Sequence, residues 1–92
     1  DFVDYYDKEL TKDKKASGEL KIEKRETLSE KKTKVYKFTN TSTYDNIDYK
    51  EIVYIFKIGD CIYYVTLYTN DLFYGEKTKN LLDQVWNSMS FE

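Results

Sequence analysis

The sequence predicts an α+β domain in which an antiparallel four-stranded sheet lies between an N-terminal and a C-terminal helix, in the order α-β-β-β-β-α. Three observations predict it. Apolar residues recur at helical spacing near both ends of the 92-residue chain and at period two between them. The period-two runs are separated by short polar breaks, which suit hairpins rather than crossovers. The central run is apolar on one face and mixed on the other, as expected where both faces of a sheet are covered.

Phe2, Val3, Tyr6 and Leu10, with Asp4, Asp7, Lys8 and Lys12 between them, read as the first amphipathic helix. The polar stretch 13–19, containing Ser17-Gly18, ends it. Leu20 and Ile22 then alternate with Lys21 and Glu23, and the pattern weakens through Thr27-Leu28, a strand with one wet face. A polar turn over 29–33 leads into a second strand over 34–43, best marked by Tyr36 and Phe38. Placing Leu28 opposite Tyr36 puts Leu20 and Ile22 on the face of Phe38 and Tyr44. A slip of one residue destroys that agreement.

The third and fourth strands, 49–58 and 61–69, flank Gly59-Asp60, a two-residue connection suited to a primed turn. Pairing Ile58 with Cys61 lays Ile52, Tyr54, Phe56 and Ile58 beside Cys61, Tyr63, Val65 and Leu67, a face without a polar residue. The other face sets Glu51, Val53, Ile55 and Lys57 beside Ile62, Tyr64, Thr66 and Tyr68. The first helix is its natural cover. Leu81, Leu82, Val85, Trp86 and Met89 form the wide stripe of the final helix. Asp71 or Thr78 is the expected cap and Gly75 a break or irregular first turn, with Ser88-Met89-Ser90-Phe91 as the ending. Cys61 is the only cysteine, so no internal disulfide forms, and its neighbours Ile62 and Tyr63 mark it as a small buried hydrophobe.

Composition excludes several kinds of chemistry. There is no histidine, hence no Ser-His-Asp triad, Cys-His pair, imidazole ligand or histidine switch. A net charge of −2 with a single Arg argues against nucleic-acid binding. An aromatic share of 17% argues for a packed core despite 35% charged residues. No apolar run approaches the ~18 residues that a membrane span requires. The length of 92 residues predicts a single domain, and because the chain opens on Asp1 it is expected to be a C-terminal portion or a trimmed piece of a longer precursor.

No catalytic, metal-binding or cofactor-binding residue is assigned. Asp45, Asn46 and Asp48 could hold a hard cation, but their spacing fits no EF-hand loop and they read as a turn. Asn40-Thr41-Ser42 matches a glycosylation sequon. Lys12, Lys14 and Lys15, with Asp13 among them, read as a solvated loop. Tyr54, Tyr63 and Phe56 are assigned to packing. The candidate interaction patch is Tyr64 and Tyr68 with Val53, Ile55 and Ile62. These are core if the first helix covers them, and an aromatic docking surface if it covers only part.

The C-terminal half carries a resemblance. Gly59-Asp60-Cys61-Ile62-Tyr63-Tyr64 leads from a turn into an aromatic strand. Asn70-Asp71-Leu72-Phe73-Tyr74-Gly75 is a short connection, and Asn87-Ser88-Met89-Ser90-Phe91 closes an amphipathic helix. In this order residues 47–92 resemble the PsbP-like (Mog/PsbP fold) family. The resemblance implies an α/β/α sandwich and non-enzymatic binding to another macromolecule. With a composition rich in Lys, Ile and Tyr, it also implies an extracytoplasmic lipoprotein of a low-GC Gram-positive bacterium. Its anchoring cysteine would lie upstream of Asp1, so Cys61 is not the anchor. The Pro-rich leading hairpin of the family is missing, in keeping with a chain that has no proline. The expectation is thus a binding or accessory domain of an exported protein, with a protein partner and no nucleic acid. Membrane attachment would come only through the upstream anchor. The alternative is a small cystatin-like immunity or inhibitor protein that binds a toxin or secreted enzyme. An enzyme built on carboxylates, Lys and Tyr is a third reading, to which no particular residue points.

Overall fold

Four strands follow one another as a simple meander. They are β1 (Leu20–Glu30), β2 (Thr33–Tyr44), β3 (Ile47–Ile58) and β4 (Cys61–Asn70), all antiparallel and in the spatial order β1-β2-β3-β4. A 3-10 turn (Asp71–Phe73) then leads to helix α1 (Glu76–Ser88). The structure is a computed structural model that describes residues 6, 8, 12, 18–30 and 33–89, the side chains of Glu30 and Phe73 excepted.

The expected α-β-β-β-β-α sandwich is corrected. Among the described residues the elements are four strands, the 3-10 turn and one α-helix, at the C-terminal end. The span expected to form a first helix lies outside the described residues apart from Tyr6, Lys8 and Lys12. The second sheet face explains the difference from a full sandwich. Arg25, Glu51 and Lys57 alternate with its apolar residues, and a complete helical layer would desolvate those charges.

Turn chemistry sets the strand lengths. Asp45 (φ 53°) and Asn46 (φ 64°) both occupy the left-handed region, as a type I′ turn requires, and both residue types tolerate it. β2 and β3 therefore run directly into this turn, further than the expected ends at 43 and 49. At the next hairpin Gly59 (φ 60°) alone has positive φ, the pattern of a type II′ turn. Ile58 pairs with Cys61 and Phe56 with Tyr63, the register expected from the sequence.

The first hairpin departs from expectation. Leu28 faces Val35, not Tyr36. The register then shifts by one residue between Ile22 and Lys24, so Glu23 is the extra residue of a β-bulge. The bulge reconciles two sets of apolar residues. Leu28 packs on the α1 side of the sheet with Val35, while Ile22 packs on the opposite side with Phe38.

The principal core lies between the sheet and α1. It comprises Val35, Ile52, Tyr54, Phe56 and Trp86, with Leu28, Val65, Leu67, Leu82 and Met89 packed around them. The Trp86 ring stacks on Tyr54 at 3.8 Å and 4°, and meets Phe56 edge-on at 5.8 Å. Only Leu82, Trp86 and Met89 of the helical stripe turn inward, whereas Leu81 and Val85 are exposed. Gly75, not Asp71 or Thr78, occupies the N-cap position, and it makes no side-chain cap. The side chain of Asn70 caps the 3-10 turn instead, its Oδ1 accepting from the Leu72 amide at 2.9 Å. Cys61 is exposed, which corrects its expected burial. It sits at the tip of a hairpin, while Val65 and Leu67 of β4 pack against the α1-side core and Tyr63, assigned to packing from the sequence, stacks on Phe56 at 5.5 Å but stays 41% exposed.

Candidate functional site

The face away from α1 divides into a covered half and an open half. In the covered half Tyr6, Phe38, Val53 and Ile55 form a buried cluster, with Ile22 and Tyr36 packed against it. Tyr6 lies 4.8 Å from Phe38 and 6.3 Å from Tyr64, ring to ring. The Arg25 guanidinium lies 5.6 Å from the Phe38 ring and 5.8 Å from Tyr36. The five residues of the candidate patch are thereby divided. Val53 and Ile55 are buried, while Ile62, Tyr64 and Tyr68 are exposed at 43%, 43% and 62%.

The open half lies toward the β2–β3 turn. Pairing across the strands makes two adjacent rows, Ile22–Asn40–Glu51–Tyr68 and Leu20–Ser42–Tyr49–Asn70. Opposed side chains in such rows stand about 5 Å apart. Leu20 and Asn40 are buried, while Ser42, Tyr49, Glu51 and Tyr68 reach the surface. Beyond them Tyr44, at the end of β2, is 76% exposed. Ser42, Tyr44, Tyr49, Glu51 and Tyr68 line a groove of about 290 Å³.

Glu51 is half-buried in this groove. Its Oε1 accepts from Asn40 Nδ2 at 3.3 Å, and the same amide nitrogen donates to Tyr6 Oη at 2.8 Å. Among the described residues, no cation is paired with Glu51. Partial burial, and then the charge of Glu51, push the Tyr68 hydroxyl above the usual tyrosine range. Asn40 is fully buried beneath the groove. The sequon asparagine is thus closed to glycosylation in the folded chain.

Tyr68 belongs to the patch read from the sequence, but Tyr44 and Tyr49 do not. The signal for them was the Asp45-Asn46 turn. A two-residue turn extends both strands, and strand alternation then places Tyr44 and Tyr49 on the side of Glu51.

A second polar cluster lies on the α1 side. Lys50, only 8% exposed, places Nζ 2.6 Å from Glu23 Oε1, 3.2 Å from Thr41 Oγ1 and 3.7 Å from Asp71 Oδ1. Nζ also lies 5.2 Å from the Tyr74 ring. Hydrogen bonds from Lys50 and then Thr41 hold the Glu23 carboxyl below the usual glutamate range. Burial pulls the Lys50 ammonium down, but Glu23 and Asp71 outweigh it and leave the group raised. Each carboxylate of this cluster is directed at the one buried ammonium, so it reads as a staple between strands rather than a site.

Asp45 and Asn46 form the turn, and Asp48 Oδ1 accepts from Thr43 Oγ1 at 2.7 Å. Among the described residues no group of three or more Cys, Asp or Glu is placed to hold a metal ion. Lys12 is exposed, while Lys14 and Lys15 lie outside the described residues. No helix among the described residues is long and apolar enough to cross a membrane. Comparison of the chain with protein-family models, curated proteins and solved structures found no match.

Proposed function

We propose that this chain is a non-enzymatic protein-binding domain whose docking surface is the open half of the sheet face, built on Tyr44, Tyr49 and Tyr68 around Glu51. The observation that carries the reading is the exposure of Tyr44 and Tyr68, at 76% and 62%, along one groove. Tyrosine supplies a large, stiff apolar ring with a polar tip. It therefore loses little entropy on contact and is enriched at the energetic centres of interfaces. The platform beneath is rigid, because α1 packs the opposite face and the hairpin turns fix the register. Binding is favoured over catalysis because the groove is open and its tyrosines are widely exposed, whereas catalytic groups gain their power where water is excluded.

The test is capture of partners from the source organism by immobilised protein, with three forms compared. Wild type and Leu81→Ala, which alters an exposed position on α1, should retain the same proteins. The Tyr44→Ala/Tyr68→Ala double variant should lose them while keeping its circular dichroism and melting temperature. Equal retention by all three forms rejects this surface.

A further inference from the structure

Resting on that reading of the surface, we propose that the groove receives an arginine side chain of the partner protein, its guanidinium stacked on tyrosine and paired with the Glu51 carboxylate. Charge is the first argument. Glu51 is half-buried, is hydrogen-bonded by the neutral amide of Asn40, and has no cation beside it among the described residues. A carboxylate withdrawn from bulk water attracts an incoming cation more strongly than an exposed one does.

The walls are the second argument. Tyr44, Tyr49 and Tyr68 present π-systems whose negative faces attract cations. The groove of about 290 Å³ is at the small end of ligand cavities, suited to one long side chain rather than a large ligand. Guanidinium fits better than ammonium because its plane stacks on an aromatic ring while its edge donates in parallel to a carboxylate. The chain already makes half of this contact on the same face, where Arg25 lies over Phe38 and Tyr36. Arg25 is the single arginine of these 92 residues and lies over Phe38 and Tyr36, so it does not itself fill the groove.

The test uses Nα-acetyl-arginine amide as the probe, followed by NMR of the tyrosine rings. A lone side chain binds only at about millimolar affinity, so the titration has to reach saturation. The arginine probe should move the Tyr44, Tyr49 and Tyr68 ring signals saturably. The citrulline analogue, of the same shape without the charge, should bind about tenfold more weakly, and so should the arginine probe to Glu51→Gln. The lysine analogue should bind more weakly than arginine. The assignment is overturned if citrulline matches arginine, if Glu51→Gln binds unchanged, if lysine binds more tightly, or if no saturable movement occurs. Partner capture that still depends on Tyr44 and Tyr68 alongside such a result leaves the docking surface standing and removes only its arginine. Loss of that dependence removes the surface itself.

Discussion

Glu23 Oε1 lies 2.6 Å from Lys50 Nζ, two strands away, because the bulge in β1 places the Glu23 carboxylate beside Thr41 and Lys50 on the α1 side of the sheet. Without the extra residue the pairing would continue in strict alternation, with Leu20 and Ile22 moved to the wrong side. One residue thus sets the facing of half a strand and closes a buried ion cluster. Asp71 joins that cluster from the connection to α1, so β1, β3 and the approach to the helix share one lysine.

Removing the two partners should have unequal effects. Glu23→Gln leaves Lys50 almost fully buried with Asp71 at 3.7 Å as its remaining charge partner, at an expected cost of about 1–2 kcal/mol. Lys50→Met replaces the buried cation with an apolar chain of similar length. It strands Glu23 and Asp71, whose side chains are 38% and 39% exposed and can be hydrated. Its cost should be smaller. Urea unfolding of both variants checks the order, and a larger loss for Lys50→Met contradicts it.

The same pair predicts a pH dependence. The Glu23 carboxyl is held below its ordinary range by Lys50 and Thr41, so the folded state favours the charged form. Its contribution is present above the ordinary value of about 4.3 and is lost as pH falls through the lower, folded-state value. Lys50 is raised, so its contribution is complete below about 10.4 and is lost as pH rises past the folded-state value. Wild type should therefore lose more stability than Glu23→Gln between neutral pH and pH 3. Parallel curves for the two proteins would show that Glu23 plays no part in acid unfolding.

Trp86 and Leu81 stand on the same helix and should respond very differently. Trp86 is 2% exposed and sandwiched against Tyr54 and Phe56, so Trp86→Ala opens the α1-side core at a cost of about 3–5 kcal/mol. Leu81 is 58% exposed, and Leu81→Ala should stay within about 0.5 kcal/mol of wild type. Thermal or denaturant unfolding distinguishes them directly. The contrast also justifies Leu81→Ala as the control for partner capture.

Legibility of the fold followed the strength of local punctuation. Gly59 cannot be misread as strand interior, and with it came the β3–β4 register and the unbroken face of Ile52, Tyr54 and Phe56 that α1 covers. Leu82, Trp86 and Met89 likewise marked the helix through its period. The bulge left no such mark. Leu20, Ile22 and Leu28 have the same parity and looked like one face, yet Glu23 separates them, because the pairing of β1 is decided by β2 and by the Lys50 cluster rather than by β1 itself. The two-helix sandwich was inferred from the helical spacing of Phe2, Val3, Tyr6 and Leu10 and from a mixed face that needed cover, but charged groups at Arg25 and Glu51 interrupt that face. The family resemblance, read from the motifs of residues 47–92, is tested by none of these observations. The binding reading therefore stands on the tyrosine groove alone. Tyr68 was legible from alternation in β4, but Tyr44 and Tyr49 were not, because Asp45, Asn46 and Asp48 suggest a longer turn, ending the strands at 43 and 49 rather than at Tyr44 and Ile47.

Both primed turns give local tests. Gly59 holds φ 60°, so Gly59→Ala should cost about 1 kcal/mol, even though nothing lies within 4 Å of the added methyl group. Asn46 holds φ 64° at the second position of its turn, where glycine is preferred, so Asn46→Gly should preserve or slightly raise stability. Melting temperatures should therefore move in opposite directions or only the first should fall. Stabilisation by Gly59→Ala would contradict the assigned turn geometry.

Asn40 links the covered and open halves of the second face, and Tyr6 is what it holds on the covered side. Its Nδ2 donates to Tyr6 Oη at 2.8 Å and to Glu51 Oε1 at 3.3 Å, while Oδ1 is buried without a partner. A buried amide that already lacks one bond has little tolerance for losing another. Tyr6→Phe keeps the ring against Phe38 but removes the acceptor, at an expected cost of about 1 kcal/mol. Tyr6→Ala removes the ring as well and should cost about 3 kcal/mol, since Tyr6 is 8% exposed within the Phe38, Val53 and Ile55 cluster. Denaturant unfolding of the two variants separates the hydrogen bond from the packing. If Tyr6→Ala costs no more than an exposed substitution such as Leu81→Ala, Tyr6 does not cover this face, and the boundary between the covered and open halves has to be redrawn.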